Sequence, residues 1–370
     1  MPTPIVVMSF NRPELLRSVL RSLLDQADPH LPRREVHLFQ DNAVNAYSRI
    51  RYAEDSDIRG CVEVFRAMVP QGVVHLADRN IGVCENFKRA EEYVFLERNF
   101  DCAYFFEDDM VLSPAYLAMM DLLQRQARDR SGLVAYFAAY GDYYASREEI
   151  ERRRDAVIGL DHHWAFGLFR EPWLRIRTWL ERYHGLVVGK DYARRDHQAI
   201  YAMYAELGAC PRGSSQDAAK AFACAQLGLW RCRTVLPFAK YVGAEGAHMD
   251  RETYERLRFD RTQMEAEPAP TVRMPDEGAI RAAVAEDADR FRRIFRDEFA
   301  GLTRGLGPKL NPMRPATAEE VVAAYRLLLH RAPESEAVVE QHAGRTPVFA
   351  LVRGILGSAE HARLARSVEA

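Results

Sequence analysis

Cysteine is scarce in this chain. The six present (Cys61, Cys84, Cys102, Cys210, Cys224 and Cys232) show no C-x-x-C spacing, which argues against a disulfide framework or a zinc site. Several stand in apolar text, so free buried thiols and a reducing compartment are expected. An excess of charge of one sign is also missing: 51 basic against 53 acidic residues leave a net charge of −2, with no global field to draw the protein onto nucleic acid or anionic lipid. Only five of the basic residues are lysines, a bias that discriminates no function. Long hydrophobic runs are absent as well. The opening run from Pro4 to Phe10 is cut off by Asn11-Arg12-Pro13, far short of a signal-peptide core or a membrane span, and a cytoplasmic protein is expected. No internal repeat or low-complexity stretch stands out. With 48% hydrophobic and 28% charged residues over 370 positions, the chain is globular and long enough for one large domain and a smaller one.

The text alternates between two periods. Ile5-Val6-Val7-Met8 reads as a strand buried on both faces. A helix follows, opened by Pro13 and carrying Leu15, Leu16, Val19, Leu20, Leu23 and Leu24 at helical spacing. Val36 to Phe39 is a second strand, ending on Gln40-Asp41-Asn42. Val73 to Leu76 is a third, followed by Asp78-Arg79-Asn80-Ile81-Gly82 and a helix from Val83 to Leu96. Ala103 to Phe106 is a fourth, ending in Glu107-Asp108-Asp109. Further strands are expected at Leu133 to Phe137 and Trp164 to Phe169, with a late apolar segment from Val235 to Val242. This alternation predicts a doubly wound α/β sheet, in which ligands bind beyond the carboxyl ends of the strands; each polar cluster just named falls there.

Composition breaks at Met264 to Gly278 and again at Gly305 to Pro315. The expected division is a catalytic domain over 1–262, a linker with one helix over 263–315 and a small all-helical domain over 316–370. Thr317 with Glu320 has the form of a capping box, Arg331-Ala332-Pro333 stops that helix, and Thr346-Pro347 starts another through Leu356.

Glu107-Asp108-Asp109 is the most informative feature. Three consecutive carboxylates repel one another and call for a cation or hydrogen-bond donors nearby. Mg²⁺ or Mn²⁺ suits them, since such ions accept one or two carboxylates together with substrate phosphates; a solvated acidic loop is the plain alternative. Asp217, near the start of a helix, reads equally as a residue favourable to the helix dipole. His162-His163 lacks a partner at ligand spacing and is read as structural.

The order of these pieces resembles the nucleotide-sugar glycosyltransferases of the GT-A fold. Ser9-Phe10-Asn11-Arg12-Pro13 is similar to their opening, Gln40-Asp41 to the strand end near the donor base, and Asn80-Ile81-Gly82-Val83 with Asn86 to their Asn-x-Gly loop. Phe106 to Pro114 resembles the Glu-Asp-Asp signature of the N-acetylglucosaminyltransferase I family. That resemblance implies metal contact at Asp109, with Glu107 and Asp108 beside the donor sugar and ribose. Trp164 to Leu168 with Pro172-Trp173-Leu174 is similar to the aromatic-Gly segment flanking the sugar, which brings in Gly167. Ser215-Gln216-Asp217 stands in the place of the catalytic carboxylate, and Lys240 to His248 in that of the closing loop, which makes His248 a second metal candidate. The match covers about residues 4 to 259, and only the Glu-Asp-Asp segment is specific alone. Residues 317–362 resemble a small helical domain often appended to bacterial glycosyltransferases.

The resemblance implies a GT-A catalytic domain (a Rossmann-like, doubly wound mixed sheet) and a small all-α C-terminal domain. It implies an inverting, Mn²⁺- or Mg²⁺-dependent transfer from a UDP-sugar, with UDP-N-acetylglucosamine the first donor to try. The acceptor would be a hydroxyl of a glycan, lipid-linked saccharide or protein. Arg12 and Lys88 are expected at the phosphates or base. A cytoplasmic enzyme at the inner face of the membrane, self-associating through its terminal helices and not binding nucleic acid, completes the expectation. Two alternatives stand beside it: a nucleotidyltransferase, which should carry a Gly-rich loop where Ser9 to Pro13 stands, and a non-catalytic sugar-nucleotide-binding scaffold.

Overall fold

The computed structural model describes residues 2–130, 132–244, 251–257, 259–303, 314–329 and 331–361. Its strands are β1 (Ile5–Ser9), β2 (Val36–Gln40), β3 (Val73–Leu76), β4 (Cys102–Glu107), β5 (Met110–Leu112), β6 (Val134–Ala138), β7 (Val157–Gly159), β8 (Phe166–Phe169), β9 (Trp230–Thr234) and β10 (Ala239–Tyr241). Its helices are α1 (Pro13–Leu24), α2 (Asp55–Met68), α3 (Gly82–Glu92), α4 (Tyr116–Arg128), α5 (Arg147–Arg152), α6 (Arg170–Val187), α7 (His197–Ala205), α8 (Gln216–Leu227), α9 (Arg251–Arg256), α10 (Glu277–Thr303), α11 (Ala318–Leu329), α12 (Glu336–His342) and α13 (Val348–Leu356). The chain divides into two units. The first holds residues 1–179, 187–194 and 223–285, the second residues 180–186, 195–222 and 286–370.

The first unit is a mixed α/β layer structure around an eight-stranded sheet of order β3-β2-β1-β4-β8-β6-β9-β7. β3, β2, β1 and β4 run parallel, with Met8 level with both Phe39 and Glu107. β8 then enters antiparallel between β4 and β6. β1, β2 and β6 are buried along their whole length, which is why β1 and β6 read as near-continuous apolar runs, while β2 also buries His37 and Gln40. β5 and β10 form a separate antiparallel ribbon, Met110 facing Tyr241 and Leu112 facing Ala239. All six cysteines are buried and none is in a disulfide among the described residues, where also no helix is long and apolar enough to cross a membrane.

Three strands, β5, β7 and β9, escape the sequence reading. β9, Trp-Arg-Cys-Arg-Thr, carries two arginines yet is buried throughout. Arg233 lies inside because its guanidinium finds acceptors on both flanking loops: Nε donates to Gly141 O at 2.9 Å, Nη1 meets the Gly159 carbonyl, and Asp161 lies 2.8 Å away. A buried charge survives only with such partners. β7 is three residues long, below what periodicity can register. The helix expected from Val83 to Leu96 ends at Glu92, and residues 93–97 continue it as one π-helical turn.

In the second unit α11 packs on α13, with Val321, Ala324 and Leu329 meeting Val348, Leu351, Val352 and Ile355. Thr317 caps α11 as a capping box: its Oγ1 accepts from Glu320 N at 3.3 Å and Glu320 Oε2 accepts from Thr317 N at 2.9 Å. α13 also packs on α7, where the Arg353 guanidinium lies 3.9 Å from the Tyr201 ring centroid. The terminal helices therefore share one unit with residues 195–222.

Candidate functional site

β1 lies between β2 and β4, so the chain winds away from it in both directions. In an open α/β sheet the crevice at such a switch point, beyond the carboxyl ends of the strands, is where ligands bind. Two segments meet there. Ser9 to Arg12 leaves β1, and Pro13, whose missing N–H suits the first turn of a helix, starts α1 immediately after Arg12. Glu107-Asp108-Asp109 leaves β4.

Arg12 spans both aspartates. Its Nη2 bonds Asp108 Oδ1 and, at 2.8 Å, Asp109 Oδ2. Ser9 Oγ and Phe10 N approach Asp108 Oδ2 at 3.5 Å, and Asn11 is half-buried on the same loop. Asp108 is 3% exposed and Asp109 7%. Burial pushes the Asp108 carboxyl up to about 6, with Arg12 opposing the rise and Asp109 adding to it. Burial acts to lower the Arg12 guanidinium, but the two carboxylates outweigh it and hold it above its ordinary value. Asp109 Oδ1 is buried and accepts no hydrogen bond among the described residues. A buried carboxylate oxygen without a donor is costly, and this one marks where a cation would fit.

The acidic turn is backed by the loop after β10. Val242 N donates to Asp109 O at 2.8 Å. Gly243 lies so close that a Cβ there would stand 2.9 Å from Asp109 Oδ2 and 2.5 Å from the Tyr241 hydroxyl. Tyr241 stacks on Trp164 at 4.6 Å, and Trp164 stacks on His162 at 4.2 Å. Ala165, next in the chain, has φ +42°, a left-handed conformation costly for a residue with a Cβ. The resemblance put Trp164 in the aromatic-Gly segment and Tyr241 in the closing loop without pairing the two. Their contact joins segments 77 residues apart, which no local pattern announces.

A second cluster forms at the ends of β2 and β3. Asp41 accepts four hydrogen bonds: from Asn42 N and Ile81 N at 2.9 Å, from Gly82 N at 2.9 Å, and from Asn80 Nδ2 at 3.0 Å. Burial still raises its carboxyl to about 6 against those backbone donors. Asn80 Oδ1 accepts from Asn45, and Asn86 bridges Phe39 O and Arg89. Gly82 has φ +77°, and a Cβ on it would lie 2.9 Å from that of Tyr192. Asp41, Asn80, Gly82 and Asn86 thus build the loop, their side-chain polar groups engaged by protein partners. Lys88 is ion-paired with Glu92 at 2.6 Å on the side of α3.

Gly167 requires correction. Expected beside a sugar, it is buried within β8, between Tyr104 on β4 and Phe137 on β6. A Cβ there would fall 2.2 Å from Cζ of Phe137, so the glycine makes room for a core ring. Asp217 belongs to the second unit, in the first turn of α8, where Ser215 Oγ accepts from Ala218 N at 3.2 Å. His248 lies outside the described residues. Among the described residues no three His, Cys, Asp or Glu side chains are grouped to hold a metal. A cation at this turn would rest on Asp109 and on oxygens brought by a substrate, an arrangement that suits Mg²⁺ or Mn²⁺.

No protein-family model and no curated protein matches the chain. Solved structures similar to it include S. aureus TarS 1–349, at 11% identity over 99% of this chain and 92% of that one, with a TM-score of 0.40. Another is GalNAc-T7 with UDP, GalNAc and Mn²⁺, at 9% identity over 82% of this chain, TM-score 0.45. S. aureus TarS aligns at 12% identity over 99% of this chain, TM-score 0.37. The alignments span 52% of the GalNAc-T7 chain and 55% of that TarS chain.

Proposed function

We propose that the chain is a metal-dependent, inverting glycosyltransferase that moves a sugar, N-acetylglucosamine first among candidates, from a UDP-sugar to a hydroxyl of a glycan, lipid-linked saccharide or protein. The observation that carries this reading is the acidic turn at the β1/β4 switch point, with one buried oxygen of Asp109 unpaired and a guanidinium beside it. A site holding anionic groups and a cation together, at the place where α/β sheets bind nucleotides, suits a nucleoside diphosphate donor.

In this reading Asp109, with His248, which lies outside the described residues, would hold Mn²⁺ or Mg²⁺, and that ion when bound would supply Lewis-acid charge for the departing diphosphate. Arg12 offers charge-assisted hydrogen bonds to the phosphate oxygens. Glu107 and Asp108 orient the sugar and ribose. The Asp41-braced loop shapes the base pocket by holding Ile81 and Gly82 in place, and Ser9 and Asn11 line the floor. Asp217 accepts the proton of the acceptor hydroxyl at a carboxylate oxygen, and attack on the face opposite the leaving group inverts the anomeric centre through an oxocarbenium-like state. The terminal helices are the proposed docking element for an acceptor or a second copy.

The test is a panel of UDP-sugars with and without Mn²⁺, read by melting temperature and by UDP release. A ligand at 100 times its Kd adds about 2.7 kcal/mol to stability, readily visible as a shift. UDP-N-acetylglucosamine with Mn²⁺ should give the largest shift and free UDP. A panel in which no UDP-sugar shifts melting or yields UDP rejects the reading.

A further inference from the structure

We propose that Arg12 is the internal counter-cation of the acidic turn, and that a divalent cation and a nucleoside diphosphate enter by displacing it, the guanidinium passing from the aspartates to the diphosphate. The inference rests on the donor reading above and adds an order of events and a second task for Arg12.

Three observations carry it. First, both aspartates are more than nine-tenths buried and adjacent, and two neighbouring carboxylates cannot stay ionised there without a positive partner. Among the described residues Arg12 is the basic side chain that bonds them. Second, Arg12 uses only Nη2 for both carboxylates. Nε and Nη1 make no hydrogen bond among the described residues, and the side chain is 30% exposed against 4% for Asp108. Three of the five guanidinium protons therefore remain for an incoming anion at the solvent-facing edge. Third, the Asp109 oxygen that Arg12 leaves alone, Oδ1, is buried without a donor among the described residues, so the guanidinium satisfies the turn incompletely.

A divalent ion on Asp109 would sit within a few ångströms of Nη2, and like charges at that range repel strongly in a partly buried site. The guanidinium must then move off, and the nearest new anion is the diphosphate. Arg12 thus weakens metal binding while the site is empty of nucleotide and strengthens nucleotide binding once metal is present. The site would favour metal and donor arriving together over metal alone.

The experiment uses the full chain and Mn²⁺ alone, followed by the electron paramagnetic resonance signal of free Mn²⁺. Arg12→Gln should bind Mn²⁺ about tenfold or more tightly than wild type without nucleotide. The same variant should bind UDP in saturating Mn²⁺ about 10- to 100-fold more weakly, the loss of a charge-assisted pair. Arg12→Lys, which keeps the charge, should hold wild-type Mn²⁺ affinity and reports on the same point if the glutamine variant folds poorly. Arg17→Gln, a half-exposed change on α1 that loses only a surface pair with Glu14, should alter neither. Mn²⁺ affinity unchanged or weakened in Arg12→Gln overturns the proposal, as does unchanged UDP affinity. The metal arm needs no turnover, so an enzyme inactive on every UDP-sugar would reject the glycosyltransferase reading while leaving the counter-cation result intact.

Discussion

Replacing Gly167 by alanine separates a core role from a binding role. The added Cβ would stand 2.2, 2.5 and 2.8 Å from three ring atoms of Phe137, where carbon contacts settle at about 3.5–4.0 Å, so the ring must retreat by more than an ångström. It has little room. Phe137 is fully buried, packed against Phe169 at 5.1 Å and Tyr104 at 6.1 Å between ring centroids. Overpacking of this kind costs about 1–3 kcal/mol, and a retreat this large in a closed core belongs at the upper end. Alanine recovers about 0.5–1 kcal/mol by restricting the unfolded chain. The net expectation is a loss of about 2 kcal/mol, which for a unit of this size lowers Tm by about 4–8 °C. Urea denaturation of the variant, alone and combined with Phe137→Leu, measures it. The smaller leucine should relieve the clash, so the double variant should lose less than the sum of the two single losses. A Gly167→Ala protein within about 0.5 kcal/mol of wild type but at least tenfold weaker in donor binding would refute the packing argument and return Gly167 to the site.

Asp109→Ala should abolish transfer and Mn²⁺-dependent UDP binding, as followed by calorimetric titration, while circular dichroism stays unchanged; Mn²⁺-dependent binding that survives the change moves the metal elsewhere. Asp217→Asn should keep donor affinity and lower turnover by about 10²- to 10⁴-fold, the usual contribution of a general base; a fall below tenfold removes Asp217 from that role. His75 concerns pH. Burial first, then His37, lowers its imidazole to about 4. The folded state therefore refuses a proton that the unfolded chain takes up near 6.5, and stability is lost as pH falls through that window. His75→Gln should gain on wild type by up to about 2 kcal/mol between pH 7 and pH 5 in urea titrations; a constant difference would show that the ring is not held neutral.

What the sequence could tell follows from the range of each interaction. β1, β2 and β4 were legible because burial on both faces leaves a local mark, an apolar run, and the Glu107 to Asp109 turn because charge stands where the run stops. The Thr317–Glu320 capping box was equally plain, being a pairing three residues long. Arg233 was not. Its strand reads as alternating polar text, and the carbonyls of Gly141 and Gly159 with the carboxylate of Asp161, contributed from far along the chain, make its burial tolerable. Gly167 was misread for a related reason: a glycine in aromatic text says that something lies close, and the sequence does not say whether that neighbour is a ligand or Phe137. Arg12 shows the same limit at the site itself. Its position beside Pro13 marked the loop, but its bond to a turn 97 residues away exists only because β1 and β4 are neighbours in the sheet. That adjacency brings three mutually repelling carboxylates and one arginine together and leaves Asp109 Oδ1 without a hydrogen bond among the described residues, which places the decisive experiment on the metal rather than on the fold.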